Sequence, residues 1–338
     1  MNSLSLVTFL ALSVTFILTH GVAAHTTKLG NQLEIVNDTL VLDQHQDIRC
    51  GRGLASCPAF SCCSLAGYCG YSATHCGAHC QVGHGHCEID TIQRVRRDHF
   101  RPGNRGRPLY DCTPSNTIAL TFDNGPSEQT GPLLDLLRRE GVKATFFVNG
   151  QGQEPKGYDT RAGIWPSILR RIINEGHQLA SHTWGHLENL NREAVESRNQ
   201  QMMWNEIMFR DILGFFPTYM RAPHGNCDGA CLTQMGNLGY TVVMWNLDTE
   251  DWKNQPASNI WKSFEKFSDE LWNPNHKSYG KAIALAHDTL PATLDLAKHM
   301  IGQAKARKLQ FVTVGQCLGD WDRANWYRDG WTGQRWAA

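Results

Sequence analysis

From Cys112 onward the chain alternates short apolar runs with longer amphipathic stretches. Thr117 to Asp123, Ala144 to Asn149, His177 to His182, Thr241 to Asn246, Ala282 to His287 and Phe311 to Val314 are four to seven residues long and almost free of charge inside. Strands covered on both faces read this way. Between them, residues 130–140, 164–175, 191–213, 230–239, 256–272 and 292–308 carry apolar positions at helical spacing. Strand and helix in alternation predict an α/β class, with a parallel sheet covered by helices, either open or closed into a barrel.

Before Cys112 the pattern changes. Leu4 to Leu18 is apolar and runs into Val22-Ala23-Ala24, which predicts a signal peptide over 1–24 and a secreted product at the cell wall or outside the cell. The run is shorter than the ~20 residues that span a bilayer, and no later segment reads as a membrane span. Residues 25–48 form an N-terminal segment with the sequon Asn37-Asp38-Thr39, a glycan acceptor in a secreted chain.

Eight of the 12 cysteines then fall between Cys50 and Cys87. So short a piece cannot bury much core, so crosslinks must hold it. Spacing alone leaves about a hundred pairings open. A zinc cluster is the rival reading, but secretion favours disulfides and the spacing fits no common zinc pattern. The four remaining cysteines fit a local bridge, Cys227 with Cys231, and one tying the ends of the large domain, Cys112 with Cys317.

Residues 88–110 hold Arg94, Arg96, Arg97, Arg101, Arg105 and Arg107 among prolines and glycines. That composition predicts a solvated linker, with a basic patch for acidic polymers as the alternative. Over the whole chain 32 basic residues balance 32 acidic ones. The balance gives no reason to expect nucleic acid or an anionic membrane as partner, and suits a neutral polymer. Trp321, Trp326, Trp331 and Trp336 recur every five residues, matching neither helix nor strand, and predict packing over the large domain, with a sugar platform as the alternative; residues 329–338 form a C-terminal tail.

The candidate chemistry lies in Thr121-Phe122-Asp123-Asn124-Gly125-Pro126 and His182-Thr183-Trp184-Gly185-His186. Two side-chain oxygens at a strand end and two histidines four apart suit a divalent metal and a hydrolytic base. Histidines at i and i+4 can face one ion from a single helical turn, and zinc takes such nitrogens with an oxygen and a water. Three further stretches follow in order: Arg221-Ala222-Pro223-His224, Asp248-Thr249-Glu250-Asp251-Trp252 and Leu285-Ala286-His287-Asp288.

Together these five stretches resemble the polysaccharide deacetylase family (carbohydrate esterase family 4, the NodB-homology domain) over roughly residues 112 to 328. The family motifs read TFDDGP, H-S/T-x-x-H, R-x-P-Y/F, D-x-x-D-W and L-x-H-D. The resemblance implies a distorted (β/α) barrel over 111–328, with the site at the C-terminal ends of its strands. It implies Asp123 as catalytic base, Arg221 orienting it, His287 as general acid and Asp251 raising the pKa of that acid. His182 and His186 become metal ligands, for zinc or cobalt. Trp252 walls the groove, Leu285 shapes the acetyl-methyl pocket, and the backbone N–H of His224 helps bind the oxyanion. Asn124 stands where the family has a metal-binding aspartate. Its neutral oxygen would weaken metal retention while making a bound water more acidic.

The run Cys62-Cys63-Ser64-Leu65-Ala66-Gly67-Tyr68-Cys69-Gly70, with Cys76-Gly77 after it, is similar to the hevein-type chitin-binding module (carbohydrate-binding module family 18) over 49–87. That likeness implies bridges Cys50 with Cys63, Cys57 with Cys69, Cys62 with Cys76 and Cys80 with Cys87. It also implies sugar contacts from Ser64, Tyr68 and His75; Ala66 has no stacking face, and Tyr71 is near enough to compensate. Both resemblances imply a monomeric hydrolase acting on N-acetylglucosamine in chitin or chito-oligosaccharides. The rival implication is a chitin-binding protein of the same fold with impaired catalysis.

Overall fold

The computed structural model describes the backbone of 33–36 and 39–42, and residues 48–58, 61–71, 73–77, 80–98, 106–151 and 160–336. The expected signal peptide and Asn37 lie outside the described residues. Two compact units divide at Gln44. In the first, β1 (Leu33–Val36) and β2 (Thr39–Leu42) pair antiparallel, Leu33 opposite Leu42.

The second unit begins with a cysteine-rich piece. Its β3 (Cys62–Cys63) and β4 (Cys69–Gly70) pair antiparallel beside the short α1 (Ala73–Cys76). Disulfides join Cys50 to Cys63, Cys57 to Cys69, Cys62 to Cys76 and Cys80 to Cys87. Cys50, Cys57 and Cys63 bring three sulfurs close together, but all are oxidised in pairs and offer no thiolate to zinc.

Over residues 88–97 the next stretch is not the solvated spacer that its arginines predict. Residues 89–92 form α2 (Ile89–Ile92), whose Ile89 and Ile92, with Val95, are buried in the main core. Arg97 pairs with Glu206, a carboxylate with no exposed surface, and its Nη2 donates to Glu206 Oε2 at 2.7 Å. Arg161 bridges Glu88 and Asp211. Three apolar residues at i, i+3 and i+6 outweigh the composition of the stretch, because together they dock a helical turn. β5 (Pro108–Leu109) then joins the main sheet beside β11 (Thr241–Val243).

That sheet has nine strands. In chain order the others are β6 (Thr117–Asp123), β7 (Thr145–Val148), β8 (Gln178–Ser181), β10 (Tyr219–Met220), β12 (Leu247–Asp248), β13 (Lys281–His287) and β14 (Gln310–Phe311). The spatial order is β12-β13-β6-β7-β8-β10-β11-β5, parallel throughout, with β14 on the first half of β6. The expected distorted barrel is thus a curled half-barrel, and β12 and β5 do not pair among the described residues. A separate pair, β9 (Phe215–Pro217) and β15 (Tyr327–Asp329), runs antiparallel.

Helices α3 (Thr130–Glu140), α4 (Trp165–Asn174), α5 (Val195–Leu213), α6 (Gly229–Asn237), α7 (Trp261–Trp272) and α8 (Thr293–Ala306) cover the sheet, and the short α9 (Val314–Cys317) closes the domain. In α3, Leu133, Leu134, Leu136 and Leu137 are all buried, each side chain contributing about 2 kcal/mol. Gly141, at φ 67°, ends that helix in the left-handed conformation that glycine adopts without strain. Cys112–Cys317 ties the start of the domain to α9, and Cys227–Cys231 closes a local loop. Of the tail tryptophans, Trp326 is buried and Trp336 packs on Phe215 and Tyr327, whereas Trp321 and Trp331 are exposed. The five-residue spacing therefore does not mark a single packed face.

Candidate active site

Strand β6 is buried from end to end, and its pleat sorts its side chains. Residues two apart share a face, so Thr121 and Asp123 point the same way while Phe122 stacks on Phe146 at 5.5 Å on the other. Arg221, after β10, meets both: Nη1 donates to Thr121 Oγ1 at 2.7 Å and to Asp123 Oδ1 at 2.8 Å. Its Nε and Nη2 donate to the carbonyls of Val243 and Met244, and its guanidinium lies 4.1 Å from the Phe147 ring centre. Burial raises the Asp123 carboxyl above its usual range, against the pull of Arg221, His287 and His186.

The two motif histidines meet by a different route from the helical turn expected of them. His182 directly follows β8, and the chain then loops, with Thr183 at φ 72° and His186 at φ 50°. Thr183 Oγ1 accepts from the His186 N–H at 3.2 Å. The two left-handed residues turn the chain so that the rings lie 5.0 Å apart without a helical turn. His182 Nδ1 lies 2.8 Å from the Arg221 carbonyl. A carbonyl only accepts, so Nδ1 carries the hydrogen and Nε2 keeps its lone pair, 3.7 Å from Asp123 Oδ2. Burial pushes both imidazoles down to about 3, leaving them neutral at pH 7.

Asn124 sits at φ 78°, and its Oδ1 is buried with no hydrogen-bond partner. An orphaned buried carbonyl oxygen is costly. Beside two neutral imidazoles it fits a divalent cation, which asks for nitrogen and oxygen lone pairs. Asn124, His182 and His186 line one cavity of about 400 Å³ with Asp123, His224, Trp252, Leu285 and His287.

On the facing side, Asp251 Oδ1 lies 2.7 Å from His287 Nδ1 and its Oδ2 accepts the His287 backbone N–H at 2.8 Å. Burial alone would lower the His287 pKa, but the bond to and charge of Asp251, with Asp123 and Asp248, raise it. Asp251 and Arg221 are buried behind the residues they hold and do not line the cavity. His224, at φ 55°, turns its ring to within 4.8 Å of that of His186. Sequence reasoning passed over Trp245, which also lines the cavity, 5.4 Å from the Arg221 guanidinium, and gave Asp248 no role although it lines the same wall. A large aromatic just past a strand end is the signal that could have found Trp245.

In the cysteine-rich piece, Ser64 is buried and its Oγ accepts the Tyr68 N–H at 3.2 Å. Tyr68 is exposed, with the Arg49 guanidinium 4.4 Å from its ring centre and donating to its hydroxyl at 2.9 Å. Tyr71 and His75 are half-buried, and a Cβ on Gly70 would meet the His75 ring at 2.6 Å. No helix among the described residues is long and apolar enough to cross a membrane.

The chain is similar to known proteins over this domain. A family model described as polysaccharide deacetylase matches residues 110–243. A chitin deacetylase of Colletotrichum lindemuthianum is 40% identical over 225 residues, 66% of this chain and 87% of that protein. One from Pestalotiopsis sp is 41% identical over 228 residues, 67% of this chain and 71% of that protein. The solved structure of the Colletotrichum lindemuthianum enzyme matches with a TM-score of 0.62 at 38% identity, covering 66% of this chain and 96% of that one.

Proposed function

Since the chain belongs to the polysaccharide deacetylase family, we propose that this deacetylase is a secreted, metal-dependent hydrolase of N-acetyl groups on N-acetylglucosamine in chitin or its oligomers. Residues 49–87 serve in this reading as a hevein-like chitin-binding module, and 111–328 as the catalytic domain. The observation that carries it is one of register. Asp123 and His287 are direct partners at the ends of adjacent strands β6 and β13, and each is held by a buried charge, Arg221 and Asp251.

That arrangement supports the two proton transfers that amide hydrolysis needs. A metal held by Asn124, His182 and His186 would act as a Lewis acid and make water more acidic. Asp123, its carboxylate aimed by Arg221 and its pKa raised by burial, takes the proton of the attacking water. His287 donates its Nδ1–H in a hydrogen bond to Asp251, whose charge favours the doubly protonated ring, so the Nε2–H is the proton passed to the leaving amine as the C–N bond breaks. Acetate and a free amine result. Leu285, buried beside the cavity, suits the acetyl methyl, and the exposed ring of Trp252 suits a sugar face.

The purified protein is expected to release acetate from chitin oligomers, to stop with a chelator, and to recover with zinc or cobalt. Acetate release absent even with added metal, while chitin binding persists, would replace this reading with that of a chitin-binding protein. Asn124→Asp should tighten zinc retention, since a carboxylate restores a charged oxygen ligand. Equal affinity in competition with a chelator would remove Asn124 from the ligand set. Tyr68→Ala should weaken retention on chitin beads by about fivefold, the worth of roughly 1 kcal/mol of stacking. Unchanged depletion would mean that Tyr68 does not contact the polymer.

A further inference from the structure

Asp288 follows the proposed acid His287 and takes no part in the proton transfers above. It is 1% exposed, yet only Oδ2 has a partner, Thr130 Oγ1 at 2.5 Å, while Oδ1 is buried with none. Burial pushes this carboxyl up to about 7. Its backbone is tied as well: its N–H donates to the Asp123 carbonyl at 3.3 Å, and Ser127 Oγ donates to its own carbonyl. The side chain lies over Gly125, where a Cβ would collide with both carboxylate oxygens. Gly125 is not in the left-handed region, so the space Asp288 takes, rather than backbone conformation, is what demands glycine there.

A carboxylate with one donor in so dry a place is expensive, and an apolar residue would cost less. What it does is join three elements: the end of β13, the Asn124–Ser127 loop and the start of α3. We propose that Asp288 is a positioning residue that clamps the Asn124–Ser127 loop, so that the Asn124 amide oxygen and the Asp123 carboxylate hold their places opposite His287. The proposal rests on the deacetylase reading of this site.

A double-mutant cycle tests it, with zinc affinity by chelator competition and steady-state acetate release as readouts. Asp288→Ala is expected to weaken zinc about 10- to 100-fold, the usual cost of losing a group that orients a ligand. It should lower kcat with KM nearly unchanged, and Asp288→Asn, which still accepts from Thr130, should recover much of both. Gly125→Ala should do comparable harm in the wild type and little further harm in Asp288→Ala, because the collision is gone. Thr130→Val, which at equal volume removes the bond to Asp288 Oδ2 and the acceptor of the Ser127 N–H at 2.8 Å, should loosen the same loop and shift zinc affinity in the same direction, and it decides the matter if Asp288→Ala does not fold. Unaltered zinc affinity in Asp288→Ala or, should that variant not fold, in Thr130→Val, overturns the proposal. So does equal harm from Gly125→Ala in both backgrounds. Zinc competition needs no substrate, so a wild type that binds zinc but releases no acetate ends the deacetylase reading alone and leaves the cycle to judge Asp288.

Discussion

Asp123→Asn is expected to lower kcat for acetate release by about 10²- to 10⁴-fold, the usual contribution of a general base, with little change in chitin binding. The amide keeps the shape of the carboxylate and an oxygen for Arg221, but cannot take a proton. The fold should survive, because the Arg221 guanidinium retains Thr121 Oγ1 and the carbonyls of Val243 and Met244 as acceptors. Circular dichroism, chitin sedimentation and initial rates on a soluble oligomer would separate these effects. A kcat within tenfold of wild type would exclude Asp123 as the base.

Arg97→Ala is expected to destabilise the catalytic domain by about 3–5 kcal/mol, because it leaves Glu206 buried in the core without its ion-pair partner, with the Tyr240 hydroxyl at 2.7 Å as a neutral donor. For a domain of this size that corresponds to a fall in Tm of about 10 °C. Arg97→Met with Glu206→Leu, which removes both charges at similar volume, should recover most of the loss. Scanning calorimetry of wild type and the two variants checks this, and a Tm of Arg97→Ala within 2 °C of wild type, the shift of only about 1 kcal/mol, would show that the pair carries little. The same argument bears on truncation. Cutting the chain at the start of the large domain would remove Ile89, Ile92, Val95 and Arg97 together, so the cysteine-rich piece cannot be deleted with its following stretch as if it hung on a tether.

Much of the architecture was legible in the residues themselves. Strand β6 appears with the limits its apolar run predicts, and β13 begins one residue earlier, at Lys281. The long helices appear near their predicted spans, except that α5 and α7 start later, at Val195 and Trp261. Burial on both faces writes itself as an unbroken apolar run, and burial on one face as helical spacing, so both are visible locally. Strands β5, β10 and β12, two residues each, are too short to carry any period. Their existence depends on neighbours supplied from elsewhere in the chain.

The site divides along the same line. By itself the sequence determined which chemical groups were available and in what order: an aspartate and an asparagine at a strand end, two histidines, an arginine, a further aspartate and a late histidine. Side-chain chemistry and motif spacing are local properties, and they survive without a fold. Only the tertiary structure decided who holds whom. Arg221 reaches Asp123 across 98 positions, Arg97 reaches Glu206 across 109, and Thr130 reaches Asp288 across 158. It also replaced the helical turn between His182 and His186 with a loop, brought Trp245 to the cavity wall and drew Ile89, Ile92 and Val95 of an arginine-rich stretch into the core. These outcomes rest on burial and on hydrogen-bond partners distant in sequence, quantities that exist only once strands are side by side and water has been excluded from between them.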